Sequence, residues 1–352
     1  MKTRGMARPT ASDKAPGGPA RAAAELIAIL ARAGLIGAGE EPKLAPLAGG
    51  VASDIWKVET GTRTFCVKRA LPKLRVEQDW YVPVERNANE AGWIEIINGI
   101  EPDAAPKLLA HVPEAGLLAM EYLPPESFPV WKSLLRDGHA DPDFAAEVGR
   151  RLGRIHAATA GRQDIAARFA SDAIFHAIRL EAYLETAAGA HGDLSDALMA
   201  LSRRTLTTRR ALVHGDVSPK NILAGPRGPV FLDAECAWYG DPAFDVAFCL
   251  NHLLLKCLWT PSARDGFERC FTALAGAYLG EVAWEPATEI EARAASLLPG
   301  LFLARVDGKS PAEYVTRATD KAAVRRTAAA LLRKPPARLS EVWAAWMREL
   351  AR

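Results

Sequence analysis

The stretch that decides the fold reads HGDVSPKNIL, at residues 214–223. It places a carboxylate, Asp216, and an amide, Asn221, five residues apart on a polar loop. Apolar, strand-like residues lie on both sides of this loop, Leu-Val before it and Ile-Leu at its end. The pattern predicts a loop that presents two polar side chains from between two short strands.

A second apolar run, residues 229–232, ends in Asp233, and the turn-forming sequence GPRG at 225–228 separates it from the loop. If the two runs form a hairpin about Arg227, Asn221 lies opposite Asp233, at a typical cross-strand spacing of roughly 5 Å. Amide and carboxylate oxygens are ligands that Mg²⁺ accepts. The hairpin therefore predicts a site for one Mg²⁺ ion.

An Asp that orients the nucleophile, with an Asn and a second Asp that hold Mg²⁺, is the arrangement used in kinase-type phosphoryl transfer. Asp216 is then the residue that takes a proton from a substrate hydroxyl. The alternative is an ordinary hairpin with polar ends, but the complete set of residues at this spacing favours the catalytic interpretation.

The sequence has His-Gly-Asp where protein kinases have His-Arg-Asp, and Asp233 is followed by Ala-Glu rather than Phe-Gly. In both respects it resembles the aminoglycoside phosphotransferase and choline kinase family. This resemblance implies an α+β, bilobal, protein-kinase-like fold that uses ATP and Mg²⁺ to phosphorylate a small-molecule hydroxyl acceptor. A protein kinase is disfavoured because no Ala-Pro-Glu element follows.

Lys68 ends a strand-like run and corresponds to the family's strand lysine, which contacts the ATP phosphates. The alternative is a solvated lysine at a strand end. A glutamate on the following helix usually holds this lysine, and Glu90 and Glu85 are the candidates. Glu90 is preferred because Arg86 and Glu90 lie four residues apart, on one face of the helix.

Two further segments resemble nucleotide-binding parts of the family. The first is the loop with Gly49, Gly50 and Ser53, where glycine lets the backbone approach phosphates closely, although a plain hairpin loop has the same composition. The second is the Pro-stiffened segment from Glu121 to Pro125, including Leu123, which looks like the hinge whose backbone groups bind adenine.

Five residues near the motif have supporting roles. His214 is expected to brace the loop, and Lys220 either contacts the γ-phosphate or points into water. Glu235, two residues after the metal aspartate on an extended strand, is either a more distant metal ligand or a structural residue. Asp245 caps a helix and, by resemblance, holds the catalytic loop, whereas Asp241 caps the same helix or faces the substrate.

Residues 68–75 and Trp80 also resemble the methylthioribose kinase branch of this superfamily. Residues 217–221 follow the broader aminoglycoside phosphotransferase pattern instead. A methylthioribose-kinase-like sugar kinase therefore stays an alternative. A nucleotide-binding pseudokinase is the alternative outside enzymes, although it has no chemical need for an intact Lys68, Asp216, Asn221 and Asp233.

The composition indicates a soluble enzyme. Of the 352 residues, 49% are hydrophobic and 24% are charged, and the net charge of +2 argues against a nucleic-acid-binding or membrane-surface protein. No apolar run approaches the roughly 20 residues that a membrane span needs. The five cysteines are odd in number and form no C-x2-C pair, so we expect reduced cysteines in a cytoplasmic protein.

The expected domain organisation has four parts: a disordered tail at 1–20, a helical segment at 21–43, a small, mainly β, nucleotide-binding lobe at 44–122, and a helical lobe at 123–352. The larger lobe carries the catalytic loop, the metal site and the substrate pocket. Residues 305–310 form a polar break with two cations. This break is either a loop between helices or a contact for an acceptor with hydroxyl or acidic groups.

Overall fold

A computed structural model describes residues 19–37, 39–47, 53–71 and 86–352 of the chain, and every structural statement below concerns these residues. The first lobe is a five-stranded antiparallel sheet in the order β1-β2-β3-β5-β4, with one helix on each face. Its elements are α1 (Pro19–Arg32), β1 (Lys43–Pro46), β2 (Ser53–Glu59), β3 (Thr64–Ala70), α2 (Arg86–Ile100), β4 (Leu108–Val112) and β5 (Leu117–Glu121).

Strand β5 shows how the alternation of side chains assembles this lobe. Leu117 and Ala119 belong to an outer core with the apolar residues of α1, while Leu118 and Met120 point the other way and join α2 and the main core. Both faces of the central strand are therefore covered, and the sheet is fixed against the second lobe through α2.

The second lobe is helical. It contains α3 (Trp131–Arg136), α4 (Pro142–Thr159), α5 (Gln163–Arg168), α6 (Asp172–Phe175), a π-helical segment (His176–Glu185), α7 (Thr186–Ala190), α8 (Ser195–Thr207), α9 (Ala243–Trp259), α10 (Arg264–Gly280), α11 (Ala287–Asp307), α12 (Ala318–Arg333) and α13 (Leu339–Leu350). No helix in the described part of the chain has the length and apolar character needed to cross a membrane.

Two small two-stranded sheets lie between α8 and α9. Strand β6 (Ala211–Val213) pairs with β9 (Trp238–Gly240), and β7 (Ile222–Gly225) pairs with β8 (Gly228–Phe231). The predicted loop, residues 214–221, connects β6 to β7 and ends in a short 3-10 turn. This segment therefore lies at the junction of both sheets and faces the first lobe.

The register of the β7–β8 hairpin differs from the prediction by one residue. Ile222 pairs with Phe231 and Gly225 with Gly228, so the turn consists of two residues and is not centred on Arg227. Asn221 therefore lies opposite Leu232, whose backbone N–H donates to the Asn221 carbonyl at 2.9 Å. The predicted pairing of Asn221 with Asp233 is wrong, because a two-residue turn is the shortest common hairpin connection and Gly228, at φ +107°, adopts the left-handed conformation that closes it.

Three features of the first lobe differ from the prediction. Helix α1 starts at Pro19, inside the predicted tail, whereas residues 1–18 lie outside the described part. The helix ends at Arg32, although the helical segment was expected to continue to residue 43; Leu35 and Ile36 lie beyond its end and are buried in the same core. Ser53 belongs to β2 rather than to a loop.

Candidate active site

Lys68, Glu90 and Asp233 meet where the two lobes face each other. The Nζ atom of Lys68, on β3, lies 2.6 Å from Oε2 of Glu90, on α2, and also donates to Oδ1 of Asp233. Lys68 is only 5% exposed and Glu90 only 2%. Burial opposes the charge on Lys68, but the carboxylates of Asp233 and Glu90 outweigh this effect and raise its pKa. Lys68 is therefore a cation, and it links the first lobe to Asp233, just after the catalytic hairpin.

A second buried pair lies beside the first. The Nε atom of Arg86 donates to Oε2 of Glu235 at 2.8 Å, with the Arg86 side chain fully buried. Three carboxylates, those of Glu90, Asp233 and Glu235, are thus gathered around two cations. Burial raises the pKa of Glu90 to about 7, and the neighbouring carboxylates add to this effect. The two cations and three acidic side chains therefore form one buried network that ties β3 and α2 to the residues that follow β8.

Asp233 adopts a left-handed backbone conformation, with φ of 69°. No other non-glycine residue in the described part of the chain has a positive φ. Strand β8 ends two residues earlier, at Phe231, so the chain turns at Asp233 instead of continuing. Glu235 therefore lies in a turn, and the prediction that it follows Asp233 along an extended strand is wrong. Its carboxylate accepts a hydrogen bond from Arg86, a contact that favours the structural alternative.

The carboxylate of Asp216 is bound by two cations. Nη2 of Arg179 lies 2.9 Å from its Oδ2, and Nζ of Lys220 lies 3.3 Å from the same oxygen. Asp216 is 4% exposed, whereas about half of the Lys220 side chain is exposed. Lys220 thus lies at the open side of the site, beside the catalytic loop.

Arg179 is the site residue that the sequence did not reveal. It lies in the π-helical segment, and its guanidinium also donates to the Gly215 carbonyl and to the Ile178 carbonyl. Burial alone would lower the pKa of Arg179, but the Asp216 carboxylate outweighs it and raises the pKa. π-Helical turns often occur at functional sites, and nothing in the local sequence indicates one here.

The amide of Asn221 is oriented by the loop itself, because its Nδ2 donates to the Asp216 carbonyl at 3.1 Å. This contact leaves Oδ1 without a hydrogen-bond donor among the described residues, while Asp233 adds a carboxylate from the turn that follows β8. In the described part of the chain no cluster of three or more His, Cys, Asp or Glu side chains is arranged as a complete metal cage. Two protein oxygens fit Mg²⁺, which usually keeps waters and takes phosphate oxygens as its other ligands.

Asp245 lies at the start of α9, and its carboxylate accepts hydrogen bonds from the backbone of the catalytic loop. Its Oδ2 accepts from the His214 N–H at 2.7 Å and its Oδ1 accepts from the Gly215 N–H at 2.8 Å. His156 lies on its other side, 3.3 Å from Oδ2. Asp245 is fully buried. Its contacts are the scaffolding contacts that the family resemblance implies.

Gly215 gives a test of this backbone geometry. It has φ of +79°, and a Cβ atom there would lie 2.6 Å from the Cys236 carbonyl oxygen. We expect Gly215→Ala to lower the free energy of unfolding by about 2 kcal/mol or more, since both the conformation and the contact are unfavourable. Urea denaturation measures this change.

Gly189 is the matched control for this substitution, because it is exposed near the end of α7 and a Cβ atom there meets nothing within 4 Å. Gly189→Ala is expected to be neutral or to stabilise by up to about 1 kcal/mol. Equal effects of the two substitutions would show that the loop geometry is not constrained.

His214 and Asp241 are both buried and both make structural contacts. Nδ1 of His214 accepts from the Asp216 N–H at 3.1 Å, and burial lowers the pKa of His214, so a neutral ring braces the loop. Asp241 accepts from the Ala243 N–H at 3.0 Å and from Nε of Arg293 at 3.2 Å. These partners and its 1% exposure favour a structural role for Asp241 at the start of α9 over a contact with the substrate.

The predicted nucleotide-binding segments are described only in part. Gly49, Gly50 and Glu85 lie outside the described residues. Ser53 is 1% exposed, and its Oγ has no hydrogen-bond partner in the described chain. Leu123 lies two residues after the end of β5 and makes no backbone–backbone hydrogen bond to any described residue, so its N–H and C=O are open to a ligand.

Two charged residues of the polar break at the end of α11 form ion pairs with residues of neighbouring segments. Asp307 contacts Nε2 of His191 at 2.7 Å and Arg325 at 2.6 Å, and Lys309 pairs with Glu181 at 2.6 Å. These contacts favour the interpretation as a loop between helices. Arg305, the first residue of the break, lies in the last turn of α11; it is buried, its Nη1 donates to the Ser310 carbonyl, and it has no carboxylate partner among the described residues.

Comparisons with curated proteins identify methylthioribose kinases. The methylthioribose kinase of Bacillus mycoides (strain KBAB4) is 24% identical over 230 residues, which is 58% of this chain and 58% of that protein. The methylthioribose kinase of Bacillus thuringiensis subsp. konkukian (strain 97-27) is 23% identical over 238 residues, or 60% of each. The chain thus spans somewhat less than two thirds of the length of these relatives.

Among solved structures, the amicoumacin kinase hAmiN, in complex with AMP-PNP, Ca²⁺ and Ami, superposes with a TM-score of 0.51 at 15% identity. The match covers 84% of this chain and 90% of that chain. The predicted α+β, bilobal, protein-kinase-like fold is therefore confirmed. A family model described as the phosphotransferase enzyme family (APH) matches residues 43–290, which is more than half of the sequence. The family resemblance is thus confirmed, and the chain belongs to the APH phosphotransferase enzyme family.

Proposed function

We propose that this protein is a small-molecule kinase that transfers the γ-phosphoryl group of ATP to a hydroxyl, with Mg²⁺ as the metal. The observation that carries the proposal is that Lys68 contacts Asp233 after the hairpin, while Asp216 and Asn221 lie on the loop before it, with the Asn221 amide bound to the Asp216 carbonyl. Family membership supports this reaction class.

Lys68 is proposed to bind the ATP phosphates. It is held by Glu90 at 2.6 Å and kept charged, so it needs no rearrangement to present its ammonium group to an anion. The free backbone N–H and C=O of Leu123 are proposed to bind the adenine base, with Glu121 at the end of the neighbouring strand. Gly49, Gly50 and Ser53 remain proposed contacts for the phosphates.

Asn221 and Asp233 are proposed to hold Mg²⁺. The ion, when bound, supplies positive charge that neutralises the phosphate oxygens. Burial alone would raise the pKa of Asp233, but Lys68 outweighs burial and lowers it, so the side chain is a carboxylate at neutral pH.

Asp216 is proposed to orient the acceptor hydroxyl and take its proton. The acceptor oxygen forms a bond to the γ-phosphorus, and the bond from phosphorus to the bridging β–γ oxygen breaks, so that ADP leaves with the electron pair. Arg179 and Lys220 hold the Asp216 carboxylate through Oδ2. Most of the acceleration would come from positioning and charge neutralisation.

The test is ADP formation from ATP and Mg²⁺ with a panel of aminoglycosides, amino alcohols, sugars and thiosugars, with the Asp216→Asn protein as the blank. An acceptor-dependent signal that disappears in the blank supports the proposal. Nucleotide binding without turnover of any acceptor would support the pseudokinase instead. Methylthioribose belongs in the panel because the curated relatives are methylthioribose kinases.

A further inference from the structure

A group of buried cations lies beside the proposed acceptor site, and few carboxylates accompany it. Arg179 begins this group at Asp216, and its Cζ lies 5.9 Å from the ring centroid of Tyr183 and 5.6 Å from that of Phe248. Phe248 packs against His252 at 5.4 Å between ring centroids, and Nη1 of Arg305 lies 3.4 Å from the Tyr183 hydroxyl. These contacts link Arg179, at the catalytic loop, to His252 and Arg305. We call this layer, together with Lys256 and Tyr314, the wall.

Lys256 is the residue of this wall that is hardest to explain as a structural residue. It lies one turn after His252 on α9 and is 1% exposed, and its Nζ has no hydrogen bond or ion pair with a described residue. Its Nζ lies 4.0 Å from the ring centroid of Trp259 and 4.2 Å from that of Tyr314. Burial lowers the pKa of Lys256 to about 7, and the neighbouring cation Lys132 adds to this effect. Two aromatic rings compensate for only part of the charge.

Several other buried polar atoms of the wall lack partners. Nε2 of His252, Nε of Arg305 and the Tyr314 hydroxyl find no hydrogen-bond acceptor in the described chain. His252 and Arg305 are each 8% exposed. Burial lowers the pKa of His252, as do the cations around it, Arg305, Lys256, Lys220 and Lys132. Of the carboxylates near this wall, Asp216 is bound to Arg179 and Glu313 to Lys132.

Buried donors and cations without acceptors lower the stability of the fold unless a ligand supplies the missing acceptors. We infer that the acceptor is an anionic hydroxyl compound, and that Lys256, His252 and Arg305 bind its carboxylate or phosphate group while its hydroxyl lies at Asp216. This inference rests on the proposed kinase function and adds the charge of the substrate. It excludes polycationic acceptors, which the same wall would repel.

The test compares acceptors that differ in one anionic group: glycerate with glycerol, 4-hydroxybutyrate with 1,4-butanediol, and ribose 5-phosphate with ribose. Ethanolamine, kanamycin and methylthioribose complete the panel, and ADP formation is measured. Turnover is expected for the anionic members, with the carboxylate and phosphate pairs identifying which anion fits. Preferred turnover of a neutral or cationic acceptor overturns the inference.

Lys256→Met removes the charge and keeps the length of the side chain. For the best anionic acceptor we expect KM to rise about 30-fold or more, with a smaller change in kcat, because the anion loses a buried partner before the chemical step. Lys334→Met, at an exposed site after α12, is the control and should leave KM unchanged. Tyr314→Phe, which removes only a hydroxyl, is a second variant that should raise KM without affecting folding. A KM for Lys256→Met within threefold of wild type would contradict the assignment.

Thermal unfolding tests the anion site without turnover. With AMP-PNP and Mg²⁺ filling the nucleotide site, glycerate or inorganic phosphate should raise the Tm of the wild type saturably and should not raise that of Lys256→Met. Without anions, Lys256→Met should have a Tm equal to or above wild type, because it removes an unpaired buried charge. If no acceptor is turned over but the anion shift is present, the proposed kinase function fails and the anion site stands. If the shift is absent, the anion site fails even where a neutral acceptor is phosphorylated.

Discussion

Asp216→Asn is expected to lower kcat by roughly 10²–10⁴-fold, the usual contribution of a positioned general base. Asparagine keeps the shape and an oxygen acceptor, so Nη2 of Arg179, now 2.9 Å from Oδ2, retains a partner. It cannot accept the proton of the acceptor hydroxyl. Because Asp216 lies on the loop and not on the β3–α2 side where Lys68 is held, AMP-PNP binding should change little. Steady-state kinetics and nucleotide titration measure the two effects.

The control for this variant is Asp196→Asn, an exposed carboxylate on α8 that changes the net charge by the same amount. It should retain wild-type kcat. Thermal unfolding of Asp216→Asn is needed as well, because an altered contact with buried Arg179 lowers stability to some degree. Wild-type turnover by the folded Asp216→Asn protein would exclude Asp216 as the base.

The catalytic hairpin was predictable because its information is local. A carboxylate, an amide and a turn within about twenty residues specify two short strands and the side chains that they present, whatever the rest of the chain does. Lys68 and its contact with Glu90 followed in the same way, because strand and helix periodicity place each residue on a face. The register of β7–β8 was missed by one residue, since turn length and not composition decides it.

Arg179 and Lys256 could not be predicted, because their significance depends on long-range packing. In the sequence both belong to helical patterns, where a cation normally lies on a solvated face. Arg179, which reaches Asp216, lies where the helix widens to π geometry between α6 and α7. Lys256 becomes unusual only when Trp259, three residues later on α9, and Tyr314, in the segment between α11 and α12, close around its ammonium group. Such sites are defined by which partners are missing, and sequence periodicity carries no information about that.

Asp233→Asn is expected to lower activity by a factor of similar size, but by weakening the binding of Mg²⁺. Loss of one carboxylate ligand should raise the Mg²⁺ concentration needed for half-maximal activity and lower kcat/KM by about 10³-fold, which corresponds to roughly 4 kcal/mol of transition-state stabilisation. Lys68 keeps its contact with Glu90, so the nucleotide lysine stays in position. The measurement is kcat/KM over a range of Mg²⁺ concentrations at fixed ATP.

The choice of asparagine at this position follows from the backbone. At φ of 69° asparagine is tolerated far better than alanine, so Asp233→Asn should unfold near the wild-type temperature while Asp233→Ala should unfold at a lower one. Comparison of the two variants separates the loss of a metal ligand from the loss of the backbone turn that directs the Asp233 side chain toward Lys68. If Asp233→Asn shows the wild-type dependence on Mg²⁺ and only Asp233→Ala loses activity, Asp233 acts through its conformation, and the metal must be held by other oxygens.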